Sequence, residues 1–226
     1  MGAADAQWES YQHLAELTDT VLLQLGGSGS HAIKALLAGA AIAGLVSPSI
    51  GEIRLGQAMA TEMGVDDRFF GIVGIGENIP LSASTVNRIY GGGCLHHTEI
   101  SLSLPELSRI TSPGGRLSFV DPRTNPIYAF WSRVSGQSRF CGAEEETHDH
   151  PIDEQELRLL ANKFFDRHII YTSGGPLRYA LILIKRSTGL SPQVETAAKL
   201  FRYERTLLNT VGLRNLFGEM ATLLTA

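Results

Sequence analysis

The stretch from Thr20 to Pro48, TVLLQLGGSGSHAIKALLAGAAIAGLVSP, constrains the fold more than any other part of the chain. Val21, Leu22, Leu23 and Leu25 form a nearly unbroken apolar run, the pattern of a strand buried on both faces of a parallel sheet. Gly26, Gly27, Ser28, Gly29 and Ser30 follow directly. Glycine there permits positive φ and lets a ligand approach the backbone closely. A helix over about His31 to Leu37 would aim its unpaired N-terminal N–H groups at whatever lies over the turn. Ala41 to Val46 then returns as a second strand, completing a right-handed βαβ crossover. In a doubly wound sheet, ligands bind at the carboxyl ends of such strands. The alternative is a glycine turn that merely connects, but three glycines and two serines in five residues exceed what a connection needs.

The rest of the composition narrows the class. At 226 residues the chain has length for one large domain, or one domain with a lid. A hydrophobic content of 43% and a charged content of 19% are ordinary for a soluble globular protein. The net charge of −4, with no run of Lys or Arg, argues against nucleic acid or an anionic membrane as partner. Cys94 and Cys141 do not make a disulfide framework or a thiolate metal site, so no metal is expected. No apolar stretch reaches spanning length and the N-terminus lacks a basic-then-apolar signal pattern, so a cytoplasmic protein is expected.

Along the chain, Trp8, Tyr11, Leu14 and Leu17 recur at a helical period. Such a helix either packs on the sheet or brings Trp8 and Tyr11 over the ligand site as a flap. Pro48 is expected to open the next helix at its first position, with Ile50, Ile53, Leu55, Ala58 and Met59 on the buried side and Gly64 as C-cap. Phe69 to Ile75 reads as a third strand ending in the turn GENIPL, and Thr85 to Tyr90 as a fourth, followed by Gly91, Gly92, Gly93 and His96-His97. Ser103 to Ile110 reads as a helix, Ser112 to Gly115 as a tight turn, and Arg116 to Val120 as a fifth strand. This alternation argues α/β with a mostly parallel sheet. From Asp121 to His150 the pattern breaks into prolines, aromatics, an acidic run and paired histidines, as in a functional lid. Pro151 to Phe165 returns to helix, with Asp153 as N-cap and Glu156 in capping-box position. Ile169 to Tyr171 and Tyr179 to Ile184 read as the last two strands, and 191–226 as a helical tail that covers the sheet or forms a homodimer seam.

Four stretches in this order resemble the class I S-adenosylmethionine-dependent methyltransferases, especially their small-molecule branch. They are VLLQLGGSGSHAIKALLAGA, GENIPL, RIYGGGCLHH and ELSRITSPGGRLSFVDP, spanning Thr20 to about Ile184. The resemblance implies a doubly wound, mostly parallel seven-stranded sheet of Rossmann-like type, with residues 1–190 as the α/β domain, 121–150 as lid and 191–226 as tail. It implies S-adenosylmethionine as cofactor, held by Gly26, Gly27, Ser28, Gly29 and Ser30, with Ser47, Glu77, Asn78 and Gly91 around it. The sequence also departs from the family. Gln24, Val46–Ser47, Ile75 and Asn87 stand where the family usually carries acidic residues. Hydrogen bonds to a charged group are worth about 1.5–3 kcal/mol, so losing the set implies a changed pose or a changed ligand.

His96 or His97 is a candidate general base near neutral pH; the alternative is one histidine packed in the core and the other bonded to backbone. Asn125, Tyr128, Trp131, His148 and His150 are lid residues placed to meet a small-molecule substrate, as is Tyr11 of the flap. Aromatic rings there could shield a sulfonium or simply fill the underside of the lid. His148 and His150 with a nearby carboxylate could ligate a metal, but an exposed acidic lid strand is the expected reading. Three functions remain open. The first is methyl transfer from S-adenosylmethionine to a small molecule. The second is cyclisation of the cofactor's own aminobutyrate chain to an amino acid such as azetidine-2-carboxylate, releasing methylthioadenosine. The third is a binding protein without catalysis.

Overall fold

The computed structural model describes residues 4–122, 152–173, 176–190, 193–213 and 219–226. The glycine-punctuated unit forms as the sequence indicates: β1 (Val21–Leu25), α2 (Ser30–Leu37) and β2 (Ile42–Ser47), preceded by α1 (Ala4–Leu14). Then come α3 (Ile50–Glu62), β3 (Phe69–Val73), β4 (Val86–Gly92), α4 (Ile100–Ile110) and β5 (Thr111–Pro122). The remaining described elements are α5 (Glu154–Phe164), β6 (Arg167–Ser173), α6 (Pro176–Thr188), α7 (Val194–Thr210) and β7 (Glu219–Thr225). The strands form one seven-stranded sheet in the order β3-β2-β1-β4-β5-β7-β6. β1 to β5 run parallel, and β7 is antiparallel to both neighbours.

Both faces of the sheet are covered, which is why its central strands read as continuous apolar runs. Leu23, Leu25, Ile89, Leu117 and Phe119 face Leu104 and Leu107 of α4 and Leu157 of α5. Leu22, Ala43 and Leu45 face Ala32, Ile33 and Leu36 of α2 and Ala60 of α3. Helix α1 lies over β4, β5 and β7. Arg88 donates to the Leu14 carbonyl at 3.1 Å, and Glu9 meets Arg202 and Arg205 of α7 at 3.0 Å.

The C-terminal third corrects the sequence reading. Tyr179–Ile184, expected as a strand, lies inside helix α6, with Pro176 in its first turn. A six-residue apolar run carries no period that separates strand from buried helix. Leu177 and Leu181, one turn apart, pack with Ala197 and Phe201 of α7. The seventh strand is instead Glu219–Thr225, within the expected helical tail. Met220, Ala221, Leu223 and Leu224 are all buried there, because β7 is inserted between β5 and β6 and needs apolar residues on both faces. Residues 194–210 of that tail are helical, and Gly212 (φ 71) follows the helix.

Helix α3 also differs. Ser49, not Pro48, precedes it as N-cap and accepts the Glu52 N–H at 3.4 Å. Ile50, Leu55 and Ala58 are exposed, while Gly56 and Ala60 are buried and Ile53 and Met59 pack partly. A side chain on Gly56 would bring its Cβ to 3.0 Å from the Phe69 ring and 3.2 Å from the Ser28 carbonyl, so large apolar residues have no room on this face. The Ser112–Gly115 turn is a bulge within β5, where the register against β4 shifts. Strand β5 continues through Pro122, so Asp121 belongs to the sheet and not to the lid.

Candidate functional site

The carboxyl ends of β1, β2, β4 and β5 converge on the glycine loop. Leu25 lies opposite Val46 on one side and Gly91 on the other, and the Gly26 N–H donates to the Val46 carbonyl at 2.8 Å. Gly26, Gly27 and Gly29 have φ of 64°, 73° and 81°, a region that strains any residue with a Cβ. The N–H groups of Gly27, Ser28 and Gly29 have no partner among the described residues.

Gln24 braces this loop from below. It is 4% exposed, and its Oε1 accepts the N–H groups of His31 and Ala32 at 2.9 Å each. These are the donors that a capping side chain normally takes, and Gly29, at the N-cap of α2, has none to offer. The Gln24 Nε2 donates to the Gly26 carbonyl at 2.8 Å. An ionised carboxylate could do the first task but not the second, since it only accepts. Glutamine at this position therefore caps α2 and ties the loop with one neutral side chain.

Ser47 ends β2 and is fully buried. Its hydroxyl donates to Glu52 Oε2 at 2.5 Å and accepts the Ser49 N–H at 3.0 Å. Glu77 Oε1 accepts the Glu99 N–H at 2.8 Å, and Asn78 N–H closes the turn on the Ile75 carbonyl at 3.2 Å. That turn is pinned from α4: Glu106 accepts the Ile79 N–H at 2.7 Å, and Arg109 donates to the Ile79 and Leu81 carbonyls. Asn87 stands at the opposite end of the sheet, accepting the Val21 N–H at 2.9 Å. A Cβ on Gly91 would collide with Cys94 and Phe119, so this glycine lets the chain after β4 fold back close to the loop.

Helix α1 brings Tyr11 to the site. Its hydroxyl lies 2.7 Å from His31 Nδ1, and the His31 ring stacks on buried Tyr90 with centroids 4.2 Å apart. Burial and, secondarily, the charge of Lys34 push the His31 pKa down to about 4. Burial raises those of Tyr11 and Tyr90. At neutral pH the ring is therefore neutral and the tyrosines carry their protons, so the Tyr11–His31 hydrogen bond joins two uncharged groups. Tyr11, His31 and Tyr90 line an open cavity of ≈ 380 Å³ together with Leu14, Leu17, Leu22 and Ala35.

After β4, a short 3-10 turn over Leu95–His97 carries the two histidines. His96 is 8% exposed; its Nδ1 lies 3.0 Å from Asp121 Oδ1, which also accepts its backbone N–H at 3.3 Å. Asp121 is 2% exposed, and its Oδ2 has no partner among the described residues. His97 is exposed and stacks on His96 with ring centroids 3.9 Å apart. Burial pushes the Cys94 thiol well up, which disfavours its thiolate. Asn125, Tyr128, Trp131, His148 and His150 lie outside the described residues. Among the described residues, no group of three or more His, Cys, Asp or Glu side chains could hold a metal ion, and no helix is long and apolar enough to cross a membrane.

Sequence reasoning missed Asp121, Glu52, His31 and Tyr90. The first two share the same obscurity, since each meets its site through a fold contact that no motif marks. His31 and Tyr90 sit inside the quoted stretches but are polar-aromatic residues of a kind that cores also hold.

No protein-family model matches this sequence, and no curated protein matches it. Solved structures do resemble it. A geranyl diphosphate methyltransferase in complex with SAM is 18% identical, with a TM-score of 0.66 over 99% of this chain and 84% of that one. The geranyl diphosphate C-methyltransferase from Streptomyces coelicolor A3(2), in complex with Mg2+, geranyl diphosphate and S-adenosyl-L-homocysteine, is 19% identical, with a TM-score of 0.69 over 99% and 78%. The [4+2]-cyclase SpnF is 14% identical, with a TM-score of 0.65 over 98% and 80%. The sheet order, the single antiparallel β7 and these likenesses together show that the chain has the class I methyltransferase fold, a mostly parallel seven-stranded Rossmann-like sheet with helical decorations.

Proposed function

We propose that this chain is an S-adenosylmethionine-dependent enzyme that methylates a small molecule, with His96 as general base. The observation that carries the reading is the His96–Asp121 pair, buried beside a glycine loop whose N–H groups are unspent. The residues fit an adenosyl amino acid. Gly27, Ser28 and Gly29 present backbone donors suited to its carboxylate, and the turn from Gly76 to Leu81, with Glu77 and Asn78, is held rigidly for its base by Glu106 and Arg109. When bound, S-adenosylmethionine would supply an electrophilic methyl group on a sulfonium, whose sulfur would keep the electron pair of the broken S–CH3 bond and leave as the neutral thioether of S-adenosylhomocysteine.

The chain's own residues would do the rest. With Nδ1 donating to Asp121 Oδ1, the ring would keep its lone pair on Nε2. His96 Nε2 would take the proton from the acceptor hydroxyl or amine as the acceptor's electron pair turns to the methyl carbon. Asp121 would hold the ring in this tautomer and stabilise the imidazolium, which later gives its proton to solvent. Positioning and exclusion of water would supply much of the remaining acceleration.

Gln24 favours a second reading. An amide in place of a carboxylate removes a negative charge near the loop, which would make it easier for a bound amine to lose its proton. Cyclisation of the aminobutyrate chain needs a free amine and would release methylthioadenosine. The test is to incubate the protein with S-adenosylmethionine, with and without a pool of small alcohols, phenols and amines, and identify the nucleoside by mass spectrometry. S-adenosylhomocysteine formed only with acceptors supports methyl transfer. Methylthioadenosine formed without acceptors, faster than in a protein-free control, replaces it with cyclisation.

A further inference from the structure

The cavity of ≈ 380 Å³ beside α2 runs from Tyr11, His31 and Tyr90 to Leu17, Leu22 and Ala38. Leu22 lies near the amino end of β1, and Ala38 is the C-cap of α2. The glycine loop and the His96–Asp121 pair stand at the carboxyl ends of the strands. The cavity therefore descends along α2 in the opposite direction, away from both. Its volume lies in the range of small-molecule sites, about 300–1,000 Å³.

The upper end of the cavity is a fixed wall. Gln24 Oε1 accepts the His31 N–H at 2.9 Å, His31 Nδ1 meets the Tyr11 hydroxyl at 2.7 Å, and the His31 ring stacks on Tyr90. Burial first and the charge of Lys34 second lower the His31 pKa to about 4, so this wall carries no charge at neutral pH.

Two charged side chains line the cavity, Glu16 and Lys34, and they are not equivalent. The Glu16 carbonyl accepts from Arg88 at 3.3 Å. Burial and then Arg116 lower the Arg88 pKa, and the Glu16 carboxylate opposes them, so the Glu16 charge is answered by an arginine. Lys34 is exposed and has no hydrogen bond or ion pair among the described residues. It is three residues after His31 and four before Ala38, on the face that α2 turns to the cavity.

We propose that this cavity binds an apolar monocarboxylate, with the carboxylate on Lys34 and the hydrocarbon body among Leu14, Leu17, Leu22 and Ala35. Those side chains offer no polar partner, so burying hydrocarbon against them is favourable and burying a polar body is not. The anionic head follows from Lys34, whose charge is unanswered; a cationic head would be repelled by it. The site lies apart from the one proposed over the glycine loop and meets that loop only at His31, the residue after Ser30.

The test is calorimetric titration of the full chain with octanoate, 1-octanol and octylammonium, with Lys34→Met and Ala35→Phe as variants. Octanoate is expected to bind one site per chain, about two- to fivefold more tightly than octanol, the range that an exposed ion pair supports. Octylammonium should bind more weakly than octanol. Lys34→Met should erase the preference for octanoate while binding octanol as before, and Ala35→Phe, which fills the cavity, should weaken both. Circular dichroism checks the fold of each variant, and NMR of the unsubstituted chain needs no variant. Octanoate should shift the His31 ring resonances saturably and leave those of His168, on the edge strand β6, unmoved. No heat and no His31 shift at millimolar octanoate would overturn the proposal, as would a preference for octanoate that survives in Lys34→Met. Neither readout needs an adenosyl ligand, so the two sites stand or fall separately.

Discussion

His96 and Asp121 are joined at 3.0 Å across the ends of β4 and β5, with both side chains nearly sealed from solvent. The pair exists because parallel pairing sets Gly92 opposite Val120, so the chain leaving β4 turns back over the last residues of β5. A general base placed in this way typically contributes about 10²- to 10⁴-fold to a rate. We therefore expect His96→Gln to lower S-adenosylmethionine turnover by roughly 10²-fold or more, while S-adenosylhomocysteine affinity stays within about twofold. Asp121→Asn should lower turnover as well and shift the ring tautomer, read from the ¹⁵N chemical shifts of His96. Unchanged turnover in both variants would remove the pair from the chemistry.

Gln24 makes a prediction about the fold rather than the reaction. Gln24→Glu keeps an acceptor for the His31 and Ala32 N–H groups but, when ionised, loses the donor to the Gly26 carbonyl. Leaving that carbonyl opposed by a buried charge should cost about 1–3 kcal/mol in urea unfolding near neutral pH. Protonating the introduced carboxyl restores a donor to the Gly26 carbonyl. The penalty should then shrink as pH falls toward the carboxylate range. A penalty independent of pH would show that the amide donor is not what holds the loop.

His31 carries a pH dependence of known sign. Its pKa falls from 6.5 to about 4 on folding, through burial first and Lys34 second. The unfolded chain therefore binds the proton more readily. The stabilising contribution of the neutral ring is fully present above about pH 6.5, and is lost as pH drops through the folded value. In His31→Phe this contribution is absent. The stability difference between the two proteins should accordingly favour the unsubstituted chain more at pH 7 than at pH 4, and NMR titration should find the ring neutral until about pH 4. A folded pKa near the ordinary histidine value would contradict the Tyr11–His31–Tyr90 arrangement.

Two glycines separate backbone strain from ligand binding. Gly64 (φ 67) faces open space, whereas Gly29 (φ 81) would place a Cβ 3.3 Å from the Gly56 Cα. Gly64→Ala should cost on the order of 1–2 kcal/mol, the left-handed penalty alone, with ligand affinity unchanged. Gly29→Ala should cost at least as much and also weaken S-adenosylhomocysteine binding at least tenfold, because it moves the loop donors. Equal affinity in the two variants would dissociate the loop from the site.

The sequence showed most where glycine and unbroken apolar runs punctuate it. The unit from Val21 to Ser47 formed as expected because a parallel strand buried on both faces leaves little ambiguity. YALILI and EMATLLT exchanged roles for the opposite reason: both are short and apolar, and only the slot between β5 and β6 decides which one extends. Gln24 read as a missing acid, and its donor to the Gly26 carbonyl became visible only in three dimensions. Asp121 stood at what looked like the start of a lid, 25 residues from the histidine it holds. Glu52 has no mark in the sequence, because its bond to Ser47 depends on how the chain turns from β2 into α3.

Binding of an adenosyl ligand over the loop from Gly26 to Ser30 is the proposal on which the predicted chemistry rests. It is tested most directly by calorimetric titration of the full chain with S-adenosylhomocysteine, alongside thermal unfolding at saturating ligand. The expected result is one binding site per chain and a raised unfolding temperature, with affinity at least tenfold weaker in Gly29→Ala. No heat and no shift in unfolding temperature at millimolar ligand, from protein that is folded by circular dichroism, would contradict it and leave a methyltransferase fold with some other ligand or none.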